Sequence, residues 1–181
     1  MKIKQSSLFK KKVLVGITGG ISAYKSIFLV RLLVENGAEV KVILTPSAHD
    51  FVSPLVLSVL SKNKVFSSFT NEENQWNNHV ELGLWADIMI IAPATANTIS
   101  KLSVGSCDNL LLSIVLSARC PIFIAPAMDH DMFLNKFTQE NIQKLKKNGF
   151  FVIDVEYGQL ASGLIGSGRL KEPEKIIKKL E

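Results

Sequence analysis

Asn77-Asn-His-Val-Glu-Leu-Gly-Leu-Trp-Ala-Asp-Ile-Met-Ile-Ile-Ala-Pro-Ala-Thr-Ala-Asn97 decides how the rest of the chain is read. It sets a histidine, a buried-strand run and a hydroxyl-and-amide loop one after another. Ile88 to Ala92 is a short continuous apolar run, which suits a parallel strand buried on both faces better than an alternating, half-exposed one. Pro93 has no ladder N–H, so the strand is expected to stop there and leave Thr95, Asn97 and Thr98 at its carboxyl end. In open α/β sheets that edge is where ligands bind. His79 opens the expected helix before the strand, where it is either a cap or surface residue or a general base.

Upstream, Lys12 to Ile17 reads as a first strand, and Thr18-Gly19-Gly20-Ile21-Ser22 turns it into a helix running to about Asn36, with Gly37 as its stop. Glycines at such a turn let backbone amides approach a phosphate or a flavin ring, with a helix N-terminus behind them. The pattern is not the Gly-x-Gly-x-x-Gly fingerprint, and a packing turn remains open beside a ligand turn. The second strand, Glu39 to Leu44, ends in Thr45-Pro46-Ser47, where a dinucleotide site expects an acid for the ribose. Hydroxyls suit a phosphate, which favours a mononucleotide such as FMN over NAD, although Thr-Pro-Ser is also a sound helix cap.

Downstream, Phe51 to Leu60 is expected to be helical, and Ser61 to Asn78 a polar loop whose length suggests mobility or function. Ile99 to Val104 and Asn109 to Leu116 read as helix broken at Gly105, with Cys107-Asp108-Asn109 as a cap. Pro121 to Ala125 is a buried strand followed by Ala127-Met128-Asp129-His130-Asp131-Met132-Phe133, so two neighbouring strand ends deliver loops to one edge. Phe137 to Asn148 is a helix, Phe150 to Asp154 a strand, and Pro173 to Leu180 a closing helix. Between these last two, Gly158 to Leu170 holds four glycines and Arg169, which reads either as a mobile flap carrying a cation or as an ordinary surface loop. The alternation predicts an α/β fold: a doubly wound parallel sheet in a three-layer αβα arrangement, flavodoxin-like or Rossmann-like.

Composition bounds the alternatives. The 181 residues, 47% hydrophobic and 20% charged, supply a sizeable core, and the whole of 1–181 is expected to form one domain with 1–11 as a basic N-terminal extension. The net charge is +5, concentrated in Lys2, Lys4, Lys10, Lys11 and Lys12 and around Lys144 to Lys147. A solvated basic tail accounts for the first cluster, because a nucleic-acid binder shows a basic stripe with a recognisable module. Val13 to Val15 is too short an apolar run for a membrane span or a signal peptide. Two cysteines, Cys107 and Cys120, fit neither a disulfide framework nor a metal site, and suit reduced thiols in a cytoplasmic protein.

Five blocks in order, Gly16 to Lys25, His79 to Asp87, Ala92 to Asn97, Pro126 to Phe133 and Gly163 to Leu170, resemble the homo-oligomeric flavin-containing cysteine decarboxylases. Within that family they are most similar to the decarboxylase domains of bacterial coenzyme A biosynthesis proteins, which act on 4′-phosphopantothenoylcysteine. The resemblance covers about Lys12 to Leu180. It implies FMN held by Gly19, Gly20, Ser22, Thr45, Ser47, Thr95, Ala96, Asn97, Thr98 and Ala127. It also implies His79 as the catalytic base, Asp129 in the substrate-binding place, and Arg169 on a substrate flap. Met128 is expected to pack beside flavin and substrate. A trimer or dodecamer with FMN sites between subunits is implied as well, as is a fused or separate phosphopantothenate–cysteine ligase domain.

The chemistry so implied is decarboxylation to 4′-phosphopantetheine. The cysteinyl thiol is oxidised to a thioaldehyde that acts as electron sink for CO₂ loss, and the electrons held meanwhile by FMN then reduce the enethiolate. Two positions depart from the family's pattern: Asp129 stands where asparagine is usual, and Ser162 where a cysteine proton donor is usual. Other reactions on the same fold remain open, namely peptidyl-cysteine decarboxylation or flavin prenyl transfer, as does a non-catalytic regulatory flavoprotein.

Overall fold

A computed structural model describes residues 6–70 and 73–181. Its centre is a six-stranded parallel sheet made of β1 (Lys12–Ile17), β2 (Glu39–Leu44), β3 (Val65–Phe66), β4 (Ile88–Ala94), β5 (Ile122–Pro126) and β6 (Phe151–Val152). The order is β3-β2-β1-β4-β5-β6, so the chain reverses its direction of winding between β1 and β4. β1 and β4 pair in parallel from Val13–Ile88 to Gly16–Ile91. Crevices for ligands open at the carboxyl ends of strands at such a reversal.

Helices cover both faces. One core cluster joins Val13, Val15, Ile17, Ile90 and Ala92 to Leu29, Val30 and Leu33 of α1 (Tyr24–Glu35), Leu57 of α2 (Pro54–Ser61) and Ile176, Ile177 and Leu180 of α8 (Pro173–Leu180). The other joins Leu14, Met89, Ile91 and Ala94 to α3 (His79–Trp85), α4 (Ala96–Ser103), α5 (Leu110–Ser117) and α7 (Lys136–Lys147). Alternate residues of β1 and β4 thus feed opposite layers, and the continuous apolar run of a two-sided strand follows from that. Each fully buried Leu or Ile contributes about 1.5–3 kcal/mol of transfer free energy.

Several expectations need correction. Pro93 does not end the central strand: β4 continues to Ala94, with its register against β5 shifting between Ile91 and Ala94, where a residue without an N–H is tolerated. Pro54 is the first residue of α2 and Phe51 lies before it, while Pro46–Asp50 forms a separate 3₁₀ turn with Thr45 at its N-cap. The loop expected over Ser61 to Asn78 contains β3 and a bridge between Thr70 and Trp76. A short helix, α6 (His130–Leu134), had no sequence signal. The flap is not irregular: β7 (Glu156–Gln159) and β8 (Ile165–Arg169) form an antiparallel hairpin. Lys2 and Lys4 of the basic cluster lie outside the described residues. Residues 6–11 are no free tail, since Leu8 is fully buried and the Lys10 amide bonds Gly37 O.

Candidate active site

A cleft of about 780 Å³ opens at the strand reversal. Gly19, Gly20, Ser22, Ser47, Thr95, Ala96, Asn97, Ala127, Met128, Asp129 and Arg169 all line it, so eleven residues singled out from the sequence share one wall system. Thr45 and Thr98 are buried directly behind: Thr45 Oγ1 lies 3.4 Å from Ser47 Oγ, and Thr98 N donates to Thr95 Oγ1 at 3.4 Å.

Buried hydroxyls hold the strand-end wall in shape. Thr18 Oγ1 donates to Pro93 O at 2.8 Å and accepts from Thr95 N at 3.1 Å, tying the first turn to the loop after β4. Ser26 Oγ donates to Ala92 O at 2.6 Å, which fixes α1 on the same strand. Gly19 is required by close approach, since a Cβ there would lie 2.6–2.8 Å from Ser47 Oγ and its backbone. A Cβ on Gly20 would meet only Thr95 Cγ2, at 3.4 Å.

The opposite wall is the β7–β8 hairpin, which contributes Gln159, Leu160, Ala161, Gly168 and Arg169. Its base is docked on the loop after β5. Met128 N donates to Gly168 O at 2.9 Å, and Ser167 N donates to His130 Nδ1 at 3.0 Å, so the imidazole holds the hairpin. A further clamp is ionic, Lys175 to Glu156 at 2.7 Å and Arg169 to Glu172 at 2.7 Å. The Lys175 hydrogen bond holds the Glu156 carboxyl below the usual carboxylate range, against an opposing effect of burial.

Two expected participants lie outside the cleft of a single chain. Ser162 is exposed at the hairpin tip, one residue beyond Ala161, and accepts from Leu164 N at 3.4 Å. His79 begins α3, where Asn78 caps the helix by accepting from Val80 N and Glu81 N. The imidazole lies edge-on to Phe69 and Trp76, with centroids 6.2 and 5.9 Å away. Its Nδ1 is buried with no hydrogen-bond partner among the described residues. Such a group is rare in a native fold and calls for an explanation.

Lys25 was missed. It lines the cleft with its side chain only 7% exposed, bonded to Glu172 at 2.8 Å and to Leu170 O at 3.3 Å. A signal was present: a cation in the first turn of a helix opposes the helix dipole and needs an outside partner. Ile21, Tyr24, Met132 and Leu170 also line the cleft but carry no sequence mark beyond being apolar or aromatic. Among the described residues no group of three or more His, Cys, Asp or Glu could hold a metal ion, and no helix is long and apolar enough to cross a membrane.

A family model for flavoproteins matches residues 1–181. The chain belongs to the flavoprotein family. This flavoprotein is 46% identical, over 92% of its length, to the coenzyme A biosynthesis bifunctional protein CoaBC of Haemophilus influenzae. It is 53% identical, over 71% of its length, to a cysteine/cysteine sulfinic acid decarboxylase from an unknown prokaryotic organism. It spans only 42% and 36% of these two relatives. Among solved structures it is similar to a cysteine-to-serine mutant of PPC decarboxylase complexed with pantothenoylaminoethenethiol, with TM-score 0.85, 34% identity, and 94% and 96% of the two chains covered. It is also similar to the FMN binding protein AtHal3, with TM-score 0.81, 34% identity, and 94% and 95% covered.

Proposed function

We propose that this flavoprotein is one FMN-binding decarboxylase domain that converts 4′-phosphopantothenoylcysteine to 4′-phosphopantetheine in cytoplasmic coenzyme A biosynthesis. The observation that carries the reading is the cleft itself. Backbone at Gly19–Gly20, hydroxyls of Ser47 and Thr95, and the start of α4 converge at the strand reversal, and the end of β2 carries Thr45-Pro46-Ser47 where a dinucleotide site has an acid for the ribose. The volume is of the size that holds a cofactor with part of its substrate. The Cβ-free cradle at Gly19 fits close approach of an anionic group to backbone. FMN, when bound, supplies the two-electron acceptor that makes the cysteinyl carboxylate a leaving group and then returns the electrons.

The chain's own residues do the rest. Asp129 accepts from the substrate's amide N–H, Met128 and Met132 exclude water, and Arg169 faces an anionic group of the substrate. His79 takes the proton of the thiol. Because His79 lies outside its own chain's cleft, the same reading includes a homotrimer, or a dodecamer of trimers, in which the His79 of one copy completes the cleft of another. The orphaned Nδ1 supports this, and so do the exposed apolar side chains Ile21 of the turn before α1, Tyr24 and Phe28 of α1, and Val80 and Leu84 of α3. A phosphopantothenate–cysteine ligase, fused or separate, would supply the substrate.

One observation favours a second substrate. Asp129 lines the cleft, yet its carboxylate has no hydrogen bond or ion pair among the described residues, and it does not cap α6. An unpaired carboxylate binds an α-ammonium more strongly than an amide N–H. Free cysteine carries that group, and the 53% identical relative is named for it. The test is mass spectrometry of the FMN-loaded protein with each substrate. Phosphopantetheine with CO₂ supports the first reading, cysteamine from cysteine alone replaces it with the second, and a protein that cannot be loaded with FMN sinks both.

A further inference from the structure

Two segments far apart in sequence, the start of α1 and the stretch from Arg169 to Glu172, meet at one carboxylate. Glu172 Oε1 accepts from Lys25 Nζ at 2.8 Å and from Arg169 Nη2 at 2.7 Å. Lys25 belongs to the helix behind the Gly19–Gly20 turn and Arg169 ends the hairpin, and both line the cleft. Glu172 is the N-cap residue of α8, but its side chain makes no cap hydrogen bond. Helix capping does not explain a glutamate here, since Ser, Thr, Asp and Asn are the residues that cap well. Gly158, on the facing strand, leaves room for the guanidinium: a Cβ there would lie 3.2 Å from Arg169 Nη1.

The charges do not cancel. Two cations share one carboxylate, so one positive charge is left over at the cleft wall. Lys25 is nearly fully buried, where an ammonium without an anion is strongly unfavourable. Its claim on Glu172 is therefore firm. Arg169 commits Nη2 to Glu172, while Nη1 and Nε have no hydrogen-bond partner among the described residues. A guanidinium anchored through one nitrogen presents the others in a fixed fork, the geometry that receives a carboxylate or phosphate.

We propose that Glu172 is a positioning residue: held in place by Lys25, it anchors Arg169 over Gly158 so that the remaining guanidinium N–H groups meet an anionic group of the substrate. The inference rests on the decarboxylase reading. Glu172 touches neither substrate nor cofactor and acts through Arg169, so removing it should raise KM while leaving the chemical step.

A double-mutant cycle tests this in the FMN-loaded protein. Glu172→Gln is expected to raise KM about 10-fold or more with kcat within about 3-fold. In an Arg169→Gln background the same change should alter KM by less than about 2-fold. Equal effects of Glu172→Gln in both backgrounds, or none in either, would overturn the proposal. Should Glu172→Gln fail to fold because Lys25 is left unpaired, Gly158→Leu carries the test, because a Cβ there already lies 3.2 Å from Arg169 Nη1 and the longer side chain occupies the space of the guanidinium. It displaces the guanidinium without touching Glu172 or Lys25, and an unchanged KM there overturns the proposal equally. Comparing phosphorylated with dephosphorylated pantothenoylcysteine separates the two sources of negative charge. A KM effect that disappears with the dephosphorylated substrate assigns Arg169 to the phosphate, and one that persists assigns it to the carboxylate. If wild type turns over neither substrate, the functional reading falls. The cycle is then read on calorimetric affinity for inorganic phosphate, and loss of that affinity in each single variant with no further loss in the double keeps the inference.

Discussion

At the strand-end wall of the cleft, Thr18 and Ser26 are buried and bonded to main chain, and Gly19 leaves no room for a Cβ beside Ser47. The hairpin wall is held instead by His130, by two ion pairs to α8 or its cap, and by one backbone bond, while its tip from Ala161 to Ile165 is exposed. Neutral bonds in a close-packed interior fix one geometry and are insensitive to salt. Ion pairs on a partly solvated hairpin hold more weakly and are screened. The first wall suits a resident cofactor, and the second suits a substrate that must enter and leave.

The largest effect is expected from His79→Asn. In the proposed reading the imidazole acts on the substrate thiol and not on the cofactor, so FMN content should stay at the wild-type level while CO₂ release falls by about 10²-fold or more, the usual range for loss of a general base. Flavin absorbance and CO₂ release measured on the same sample check it. Normal CO₂ release removes His79 from the mechanism, and loss of FMN makes it part of the cofactor wall. Mixing His79→Asn with a second variant crippled only in its own cleft, such as Arg169→Gln, should restore activity if the base is supplied by another copy.

Next comes Gly19→Ala. The added methyl collides with Ser47 backbone, which cannot move without disturbing the turn after β2, so FMN affinity should drop about 10-fold or more. Gly20→Ala adds a methyl against the tip of Thr95 alone and is expected to stay within about 3-fold. Flavin titration of the two apoproteins gives the contrast directly. Equal losses would show that flexibility, not space, matters at this turn.

The two walls also differ in how far they could be read from residues alone. The strand-end wall was legible because its parts carry local signals: an apolar run, glycines at a turn, and hydroxyls at strand ends. The order of elements then fixed one edge for all of them. The hairpin was not, since Gly158, Gly166 and Gly168 break the alternation that marks a strand, and its pairing with α8 depends on Glu172 and Lys175, which look like ordinary surface charges. β3 escaped because two residues show no period. Lys25 escaped because burial of a cation is set by a carboxylate 147 residues away. The position of His79 outside the cleft could not be read either, because a motif orders residues along the chain and not across it.

A smaller effect is expected at the tip. Ser162 is solvent-exposed one residue from the cleft lining, and a serine hydroxyl is a far weaker acid than a thiol, whose ordinary pKa is about 8.5. Ser162→Cys should leave CO₂ release unchanged and speed reduction of the enethiol several-fold, with less of the product two hydrogens lighter escaping in air. Anaerobic flavin reoxidation and product mass, followed together in wild type, Ser162→Cys and Ser162→Ala, decide it. No acceleration with cysteine, together with only reduced product from wild type, places the proton donor elsewhere.

The smallest effect concerns the ionic clamp itself. Lys175 holds the Glu156 carboxyl below its ordinary range, chiefly through the hydrogen bond, and Glu156 in turn raises the exposed Lys175 ammonium. A carboxyl with a lowered folded-state value stabilises above its unfolded value of about 4.3, and that contribution is lost as pH falls through the folded value. An amine with a raised value stabilises below its unfolded value of about 10.4, and the contribution is lost as pH rises through the folded one. Between about pH 5 and pH 10 both partners are therefore charged and the clamp is constant. Hydrogen exchange of the hairpin amides, corrected for intrinsic rates, should show protection that is flat from pH 5 to 9 and declines below about pH 4. Because the pair is solvated on one side, the change should stay within about 3-fold and shrink in 1 M salt. Lys175→Met should abolish the acid-side decline while leaving exchange in β1 and β4 untouched. An acid-side decline that persists in Lys175→Met would show that this ion pair does not govern the protection of the hairpin.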